Sequence, residues 1–467
     1  MADPAFDDPG PPIPEPARRA RRALTVAVLL TLVVSMVFLA FVSGRGLAPV
    51  PPPVTPRPSV AVPPLDASRL AIVDTAGRLS TTDALGGSVV RYGQAGVAFS
   101  FPAWSPDGTR IAAIGAGADE TAVYLFAVPT PGAAVGDPAI VYRSSDQAPI
   151  YLYWAPDSRT LTFLTSESVS LALRSVGVDA GAPVETIRHG SPMYWTWADP
   201  TRLLVHSDGE GIGGFFGEVD AAGVSVEREA IVPGGFRVPA VTTDGRFRAF
   251  VTPGEGSSEQ VTVENRDGSS MHSVDVFGAA AIDFGPGTSE LAFIAPAQSS
   301  AELPLPVGPL RLLDGVTGTV RTLIAGPVLA FFWAPDGRTI ATIQVAAPGD
   351  DKVARAGRAT LARMGAASTA TNRLTAEAGQ SLRVAFVNVE SGAVRSRWSF
   401  RVSDTFVQQL LPFFDQYALS HRLWSADSAS MALPIVADDG TSQLMVVRAD
   451  GSDARRVADA VAGFWSP

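Results

Sequence analysis

Trp104-Ser105-Pro106-Asp107-Gly108, followed by the alternating run Arg110–Ile114, is the stretch whose reading decides the fold. Pro106 fixes φ near the value that the second position of a type I turn requires, while Ser105 and Gly108 suit the first and fourth positions. The tryptophan ahead of the turn belongs to an incoming strand, where a large ring fills the gap between packed sheets. The apolar alternation behind it is that of a second strand, half-buried or fully buried. The same frame returns as Trp154-Ala155-Pro156-Asp157-Ser158, Trp333-Ala334-Pro335-Asp336-Gly337 and Trp424-Ser425-Ala426-Asp427-Ser428. Degenerate copies stand at Trp197, Val241 and Phe284, and the chain closes on Trp465-Ser466-Pro467.

The markers are spaced by 50, 43, 44, 43, 49, 91 and 41 residues. A period of about 40–50 residues with four short strands in each is the signature of a β-propeller. Eight markers give an all-β, eight-bladed propeller, with seven blades as the alternative if one degenerate copy is false. The first blade, built from Leu70–Asp74, Arg78–Thr82 and Val89–Tyr92, lacks an inner strand, and Val461–Pro467 is an inner strand without a blade. Pairing the two closes the ring and removes two open sheet edges.

Composition agrees with a turn-dense all-β protein: 44 glycines and 38 prolines in 467 residues. The formal net charge is −10 and Lys352 is the only lysine, so the basic footprint that nucleic acid demands is missing. There is no cysteine, which removes disulfides, thiol chemistry and cysteine-ligated metals.

Residues 1–22, rich in Pro, Ala, Asp and Arg, are expected to be a disordered cytoplasmic tail. Ala23–Val42 is a twenty-residue run without charge, long enough as a helix to cross a bilayer. Arg18, Arg19, Arg21 and Arg22 precede it and only Arg45 follows closely, which places the tail inside and the propeller outside. A cleaved signal peptide is the competing reading, although its apolar region is usually 7–15 residues. Residues 43–66 hold eight prolines between 49 and 64 and read as an extended spacer. The propeller is expected over 67–467, with insertions at 346–380 and 403–420.

The first insertion is Ala-, Gly- and Thr-rich with scattered arginines and has no core pattern. The second begins with a capping Ser403 or Asp404 and carries Phe406, Val407, Leu410, Leu411 and Phe414 at helical spacing, with Pro412 expected to kink or end the helix. So apolar a segment must be buried, on the propeller's own face or beside its central channel. In the second case Phe413, Phe414, Asp415, Gln416, Tyr417 and the nearby His421 are the candidate contacts to a partner or ligand.

No Gly-x-Ser-x-Gly elbow is present, and His189, His206, His272 and His421 lie in different blades without metal-ligand spacing. Asp107, Asp157, Asp244, Asp336 and Asp427 obey the repeat, as turn formers do. The sequence therefore nominates no catalytic residue, no metal and no cofactor.

The Trp-Ser-Pro-Asp-Gly stretches at 104 and 333, and less faithfully at 154 and 424, resemble the WD40-like (PD40-type) repeats of TolB-like propellers. The same repeat type occurs in the propeller of dipeptidyl peptidase IV-like enzymes. The resemblance covers about 70–467 and implies the fold. In such peptidases an α/β-hydrolase domain follows the propeller; here the chain stops at Pro467, so no catalytic residue carries over. TolB is periplasmic and binds protein partners of the envelope, with six blades rather than eight. The resulting expectation is a membrane-anchored extracytoplasmic module that binds an envelope protein. An enzyme, or a sugar- or peptide-binding protein with its site in the central channel, is the alternative.

Overall fold

The computed structural model describes residues 68–130, 133–179, 181–223, 226–296, 306–346 and 381–467. The expected tail, membrane span and spacer lie outside the described residues, as does almost all of the first insertion. Among the described residues no helix is long and apolar enough to cross a membrane.

Eight antiparallel sheets follow one another along the chain. Blade 2 is typical, with strands Ala98–Trp104, Arg110–Ala116, Thr121–Ala127 and Ala139–Ser144 ordered from the inside outward. Blades 3 to 7 start on the inner strands Pro149–Trp154, Met193–Trp197, Ala240–Val241, Ala281–Phe284 and Ala330–Trp333. In blade 8 the inner strand is reduced to a bridge between Trp424 and Met431, beside Ser430–Val436, Ser442–Arg448 and Ala454–Ala458. Blade 6 ends later than the sequence predicts, its outer strand running Val320–Val328 rather than stopping at Ile324.

The ring closes as expected. Ala462–Trp465 pairs antiparallel with Arg69–Val73, in the register Leu70↔Trp465 through Val73↔Ala462. The last strand of the chain is therefore the inner strand of blade 1. Trp465, Phe464, Leu70 and Ala71 are almost wholly removed from solvent.

The repeat explains its own residues. All five aspartates of the turn accept a hydrogen bond from the backbone N–H two residues on: Asp107 from Thr109, Asp157 from Arg159, Asp244 from Arg246, Asp336 from Arg338 and Asp427 from Ala429, at 2.9–3.0 Å. These are Asx turns. The fourth turn position is left-handed throughout, which Gly108 and Gly337 accept without strain. Ser158 and Ser428 adopt it too, at φ 62° and 59°. Their hydroxyls accept the N–H of Asp107 and Asp336 in the preceding blade, each at 3.0 Å. The strained serine thus ties its blade to the one before.

The tryptophans make the same kind of tie. Trp104 Nε1 donates to the carbonyl of Phe464, Trp154 to Ala103, Trp333 to Asp283 and Trp424 to Phe332, at 3.0–3.2 Å. In each case the acceptor belongs to the inner strand of the preceding blade, one residue before that blade's own marker.

Two outcomes are expected. Trp154→Phe keeps most of the ring area but loses the indole N–H, and should lower the urea-unfolding free energy by at least about 1 kcal/mol. Deleting residues 462–467 should cost far more, with loss of a single cooperative transition, because blade 1 loses its inner strand and two edges open.

Candidate functional site

In an antiparallel blade the turn joining the first and second strands and the connection leaving the fourth strand lie on opposite ends. The Trp-Ser-Pro-Asp-Gly turns therefore define one face of the ring, and every blade-to-blade connection crosses the other. The second insertion is such a connection, between the outer strand of blade 7, Val394–Arg401, and the inner segment of blade 8. Spanning from rim to axis, it is carried over the channel mouth by topology alone.

It is helical with a changing pitch: a wide π turn over Phe406–Leu410, a tight 3₁₀ turn over Leu411–Phe413 and an α-helix over Phe414–Ser420. The change falls at Pro412, which has no N–H to continue the ladder. Ser403 Oγ accepts the Phe406 N–H at 3.2 Å, as its capping position anticipates. Phe406, Leu410 and Phe414 are buried.

The α-helix packs against the inner strands of blades 3, 4, 6 and 7. Blades 3 and 7 stand on opposite sides of an eight-membered ring, so Phe414–Ser420 sits in the channel as a plug. Phe414 lies edge-on to Phe331 and Phe332, with ring centres 5.5 and 5.9 Å away. Tyr417 meets Tyr151 at 5.2 Å and Phe101 at 5.3 Å. Tyr151 Oη donates to the Gln416 carbonyl at 2.5 Å, and Arg237 donates to the Pro412 carbonyl.

Phe101 and Tyr151 reach the plug through an unusual backbone. Both are non-glycine residues with left-handed φ, 46° and 51°. Each stands where the register of its inner strand shifts, between Ser100 and Ala103 and between Ile150 and Leu152. A bulge of this kind re-aims a side chain at a cost of order 1–3 kcal/mol. Here both rings are turned onto Tyr417 and His421.

The candidate residues named from the sequence are thus brought together. Phe414, Asp415, Gln416, Tyr417 and His421 are buried, and Phe413 is half-buried beneath the Arg237 guanidinium, 5.6 Å from its ring centre. His421 Nε2 lies 3.3 Å from the Phe101 carbonyl and Nδ1 lies 2.6 Å from Ser420 Oγ. Burial pushes its imidazole down to about 4, so it is neutral near pH 7. Asp415 is held 3.9 Å from Arg237; burial raises its carboxyl and the guanidinium opposes that rise. Its Oδ2, like Gln416 Nε2, is buried without a hydrogen-bond partner.

Sequence reasoning missed the other side of the channel. Tyr153 in blade 3 and Asp283 in blade 6 each stand one residue before a marker, and Arg422 in blade 8 stands two before Trp424. Burial drives Asp283 up to about 7, with a further push from the negative charge of Asp415. Burial takes Tyr153 up to about 12, and it feels both Asp283 and Arg422. Blades 3, 6 and 8 are not neighbours, so these influences cross the lumen. The one available signal was a lone carboxylate, Asp283, in the otherwise apolar inner strand Ala281–Phe284.

Among the described residues no group of three or more His, Asp or Glu side chains could hold a metal. A surface cavity of about 400 Å³ lies on the turn face between blades 6 and 7, where Glu290 and Arg321 already pair at 2.7 Å.

No protein-family model matches the chain, and no curated protein matches its sequence. Similar solved structures include TolB from Acinetobacter baumannii, 16% identical over 55% of this chain and 66% of that one, with a TM-score of 0.33. The dihydro-heme d1 dehydrogenase NirN, solved in complex with DHE, is 13% identical over 87% of this chain and 76% of its own, with a TM-score of 0.49. A puromycin-hydrolyzing peptidase of Mycobacterium tuberculosis is 17% identical over 62% and 51%, with a TM-score of 0.39. The chain thus spans just under two thirds of that TolB and about half of that peptidase. At these identities the likeness is one of fold.

Tyr151→Phe should loosen the plug by about 1 kcal/mol and speed hydrogen exchange over 414–420. Asp283 has its own pH signature. Its folded value, about 7, lies above the ordinary 3.8, so between those values the folded chain holds a proton that the unfolded chain releases. Stability contributed by this group is full below about pH 4 and falls as pH rises towards 7, by at most about 1.4 kcal/mol per pH unit. Asp283→Asn should flatten that part of the urea-midpoint profile between pH 4 and 8.

Proposed function

We propose that this chain is a membrane-tethered, extracytoplasmic propeller that binds a protein partner of the cell envelope through the face carrying the plug. The observation that carries the reading is the closed channel mouth. A helix of the chain itself fills the place where a propeller would admit a large substrate from that side, and what it leaves accessible is a broad ring face. Loops joining second and third strands on the same face end in exposed apolar side chains, Val169 in blade 3 at 79% and Ile212 in blade 4 at 89%. Adjacent apolar tips on a wide face suit a protein surface better than a small solute. The tether rests on the uncharged run Ala23–Val42 and the arginines before it, and the outward orientation on the positive-inside rule.

The absence of cysteine makes the test clean, since any introduced thiol is unique. In spheroplasts a membrane-impermeant maleimide should label D450C, in an exposed propeller turn, and should leave A5C unlabelled until the membrane is lysed. A labelled tail with a silent propeller overturns the orientation, and release by carbonate wash overturns the tether. A photo-crosslinking residue at Val169 should capture a protein in intact cells while one at Asp450, on the opposite face, should not. Capture from Asp450 alone overturns the assignment of the binding face.

A further inference from the structure

Each blade ends at the rim on an outer strand that has a neighbour on one side only. The outward row of N–H and C=O groups on such an edge is a template for a further strand, and natural sheets blunt it by shortness, by a break in register, or with charge or proline. Seven of the eight outer strands are blunted in these ways. Those of blades 1 and 4, Val90–Tyr92 and Val226–Arg228, are three residues each. Those of blades 2, 3, 6, 7 and 8 all break register against the strand inside them. All five also carry at least one arginine, and Val320–Val328 of blade 6 adds Pro327.

Blade 5 has none of these devices. Its outer strand, Met271–Phe277, pairs with Ser258–Asn265 through seven consecutive residues without a shift, from Glu264↔Met271 to Ser258↔Phe277. It holds no proline, lysine or arginine. Successive side chains of a strand point to opposite faces. Met271, Ser273, Asp275 and Phe277 therefore share one face, and all four are exposed, the methionine at 65% and the phenylalanine at 37%. The other face is half-buried or buried, and there His272 Nε2 lies 3.2 Å from the Val316 carbonyl of blade 6.

Along the exposed face the order is apolar, polar, polar, apolar, the same from either end. A strand of that pattern complements its own copy when the two run antiparallel with Val274 opposite Val274. Met271 then meets Phe277 of the copy at both ends, and Ser273 meets Asp275. Centring the pair on Asp275 instead would set carboxylate against carboxylate, and centring it on Ser273 would set Met271 against Asp275; both are unfavourable cross-strand pairs. The polar residues are already held along their own sheet, Ser273 by Thr262 Oγ1 at 2.9 Å and Asp275 by Gln260 Nε2 at 3.0 Å.

We propose that the chain dimerises through the outer edge of blade 5, each copy adding Met271–Phe277 to the other's sheet about a two-fold axis at Val274. Two four-stranded blades become one continuous sheet, and the main-chain groups of both open edges are satisfied. The register is set by the two Met271–Phe277 contacts and by keeping the Asp275 carboxylates from facing each other. This edge lies on the rim, and its pairing does not depend on a protein binding at the plug face.

Sedimentation equilibrium of the full-length chain in detergent, at concentrations up to about 0.1 mM where small interfaces are populated, should show monomer and dimer in exchange. Ser273→Asp sets carboxylate opposite carboxylate at two symmetric places and should weaken the dimer about tenfold. Adding Asp275→Lys to that variant turns both clashes into opposite-charge pairs and should restore the dimer. Both positions are exposed, so both variants should keep the wild-type unfolding transition. The chain has no cysteine, so Val274→Cys introduces a unique thiol that meets its copy at the axis. Directly opposed Cα atoms of antiparallel strands stand about 4.5–5.5 Å apart, within disulfide reach. An added oxidant should link the two copies, and Ser273→Asp should suppress the link. A chain that stays monomeric throughout overturns the proposal, as does a dimer whose affinity is unchanged in folded Ser273→Asp. Linkage of Val274→Cys to a different protein in whole cells, in place of its own copy, gives the edge to a foreign strand and overturns it too.

Discussion

The structure depends on one hydrogen bond used repeatedly: an indole N–H reaching from the marker tryptophan of one blade to an inner-strand carbonyl of the blade before. A four-stranded sheet cannot bury both of its faces alone, so each blade is stable only against neighbours. Ring burial supplies most of the attraction, but it has no preferred register. The indole fixes the height of one blade against the next, and Ser158 and Ser428 fix the turns in the same sense. The terminal strand carries the rule across the seam, because the carbonyl that accepts from Trp104 belongs to Phe464, 360 residues away.

That constraint leaves a channel of fixed width, and the chain fills one end of it with its own helix. The filling is not passive packing. Two inner strands are bulged and two bulky residues are held left-handed so that Phe101 and Tyr151 face the plug. Local strain of this kind persists where the surroundings over-determine it. Tyr151 also donates to the plug backbone, which makes the bulge and the helix mutually supporting.

Much of the fold was legible because repetition is a statistical signal that survives imperfect copies. The turn aspartates, the closing strand and the Ser403 cap all occupy the places that the spacing assigns. The helical insertion was also legible, since no surface position tolerates Phe406, Leu410 and Phe414 together. Its pitch was not, because the change from π to 3₁₀ depends on how Pro412 and the aromatics fit the channel. The candidate site was half legible. Asp415, Gln416, Tyr417 and His421 were named by their nearness to an unusual segment. Asp283, Tyr153 and Arg422 belong to three separate repeats and look ordinary in each.

By itself the sequence determined the propeller architecture, the way the ring closes and which residues form the turns, while the structure decided eight blades over seven. The first three follow from local stereochemistry and from a period, both of which are properties of the chain read in order. Only the tertiary structure decided what occupies the axis of the ring, because the inner strands of blades 3, 4, 6 and 7 come together around Phe414–Ser420 only when the ring closes. The field at a carboxylate depends on what surrounds it in space, and for Asp283 that surrounding is assembled from segments more than a hundred residues apart.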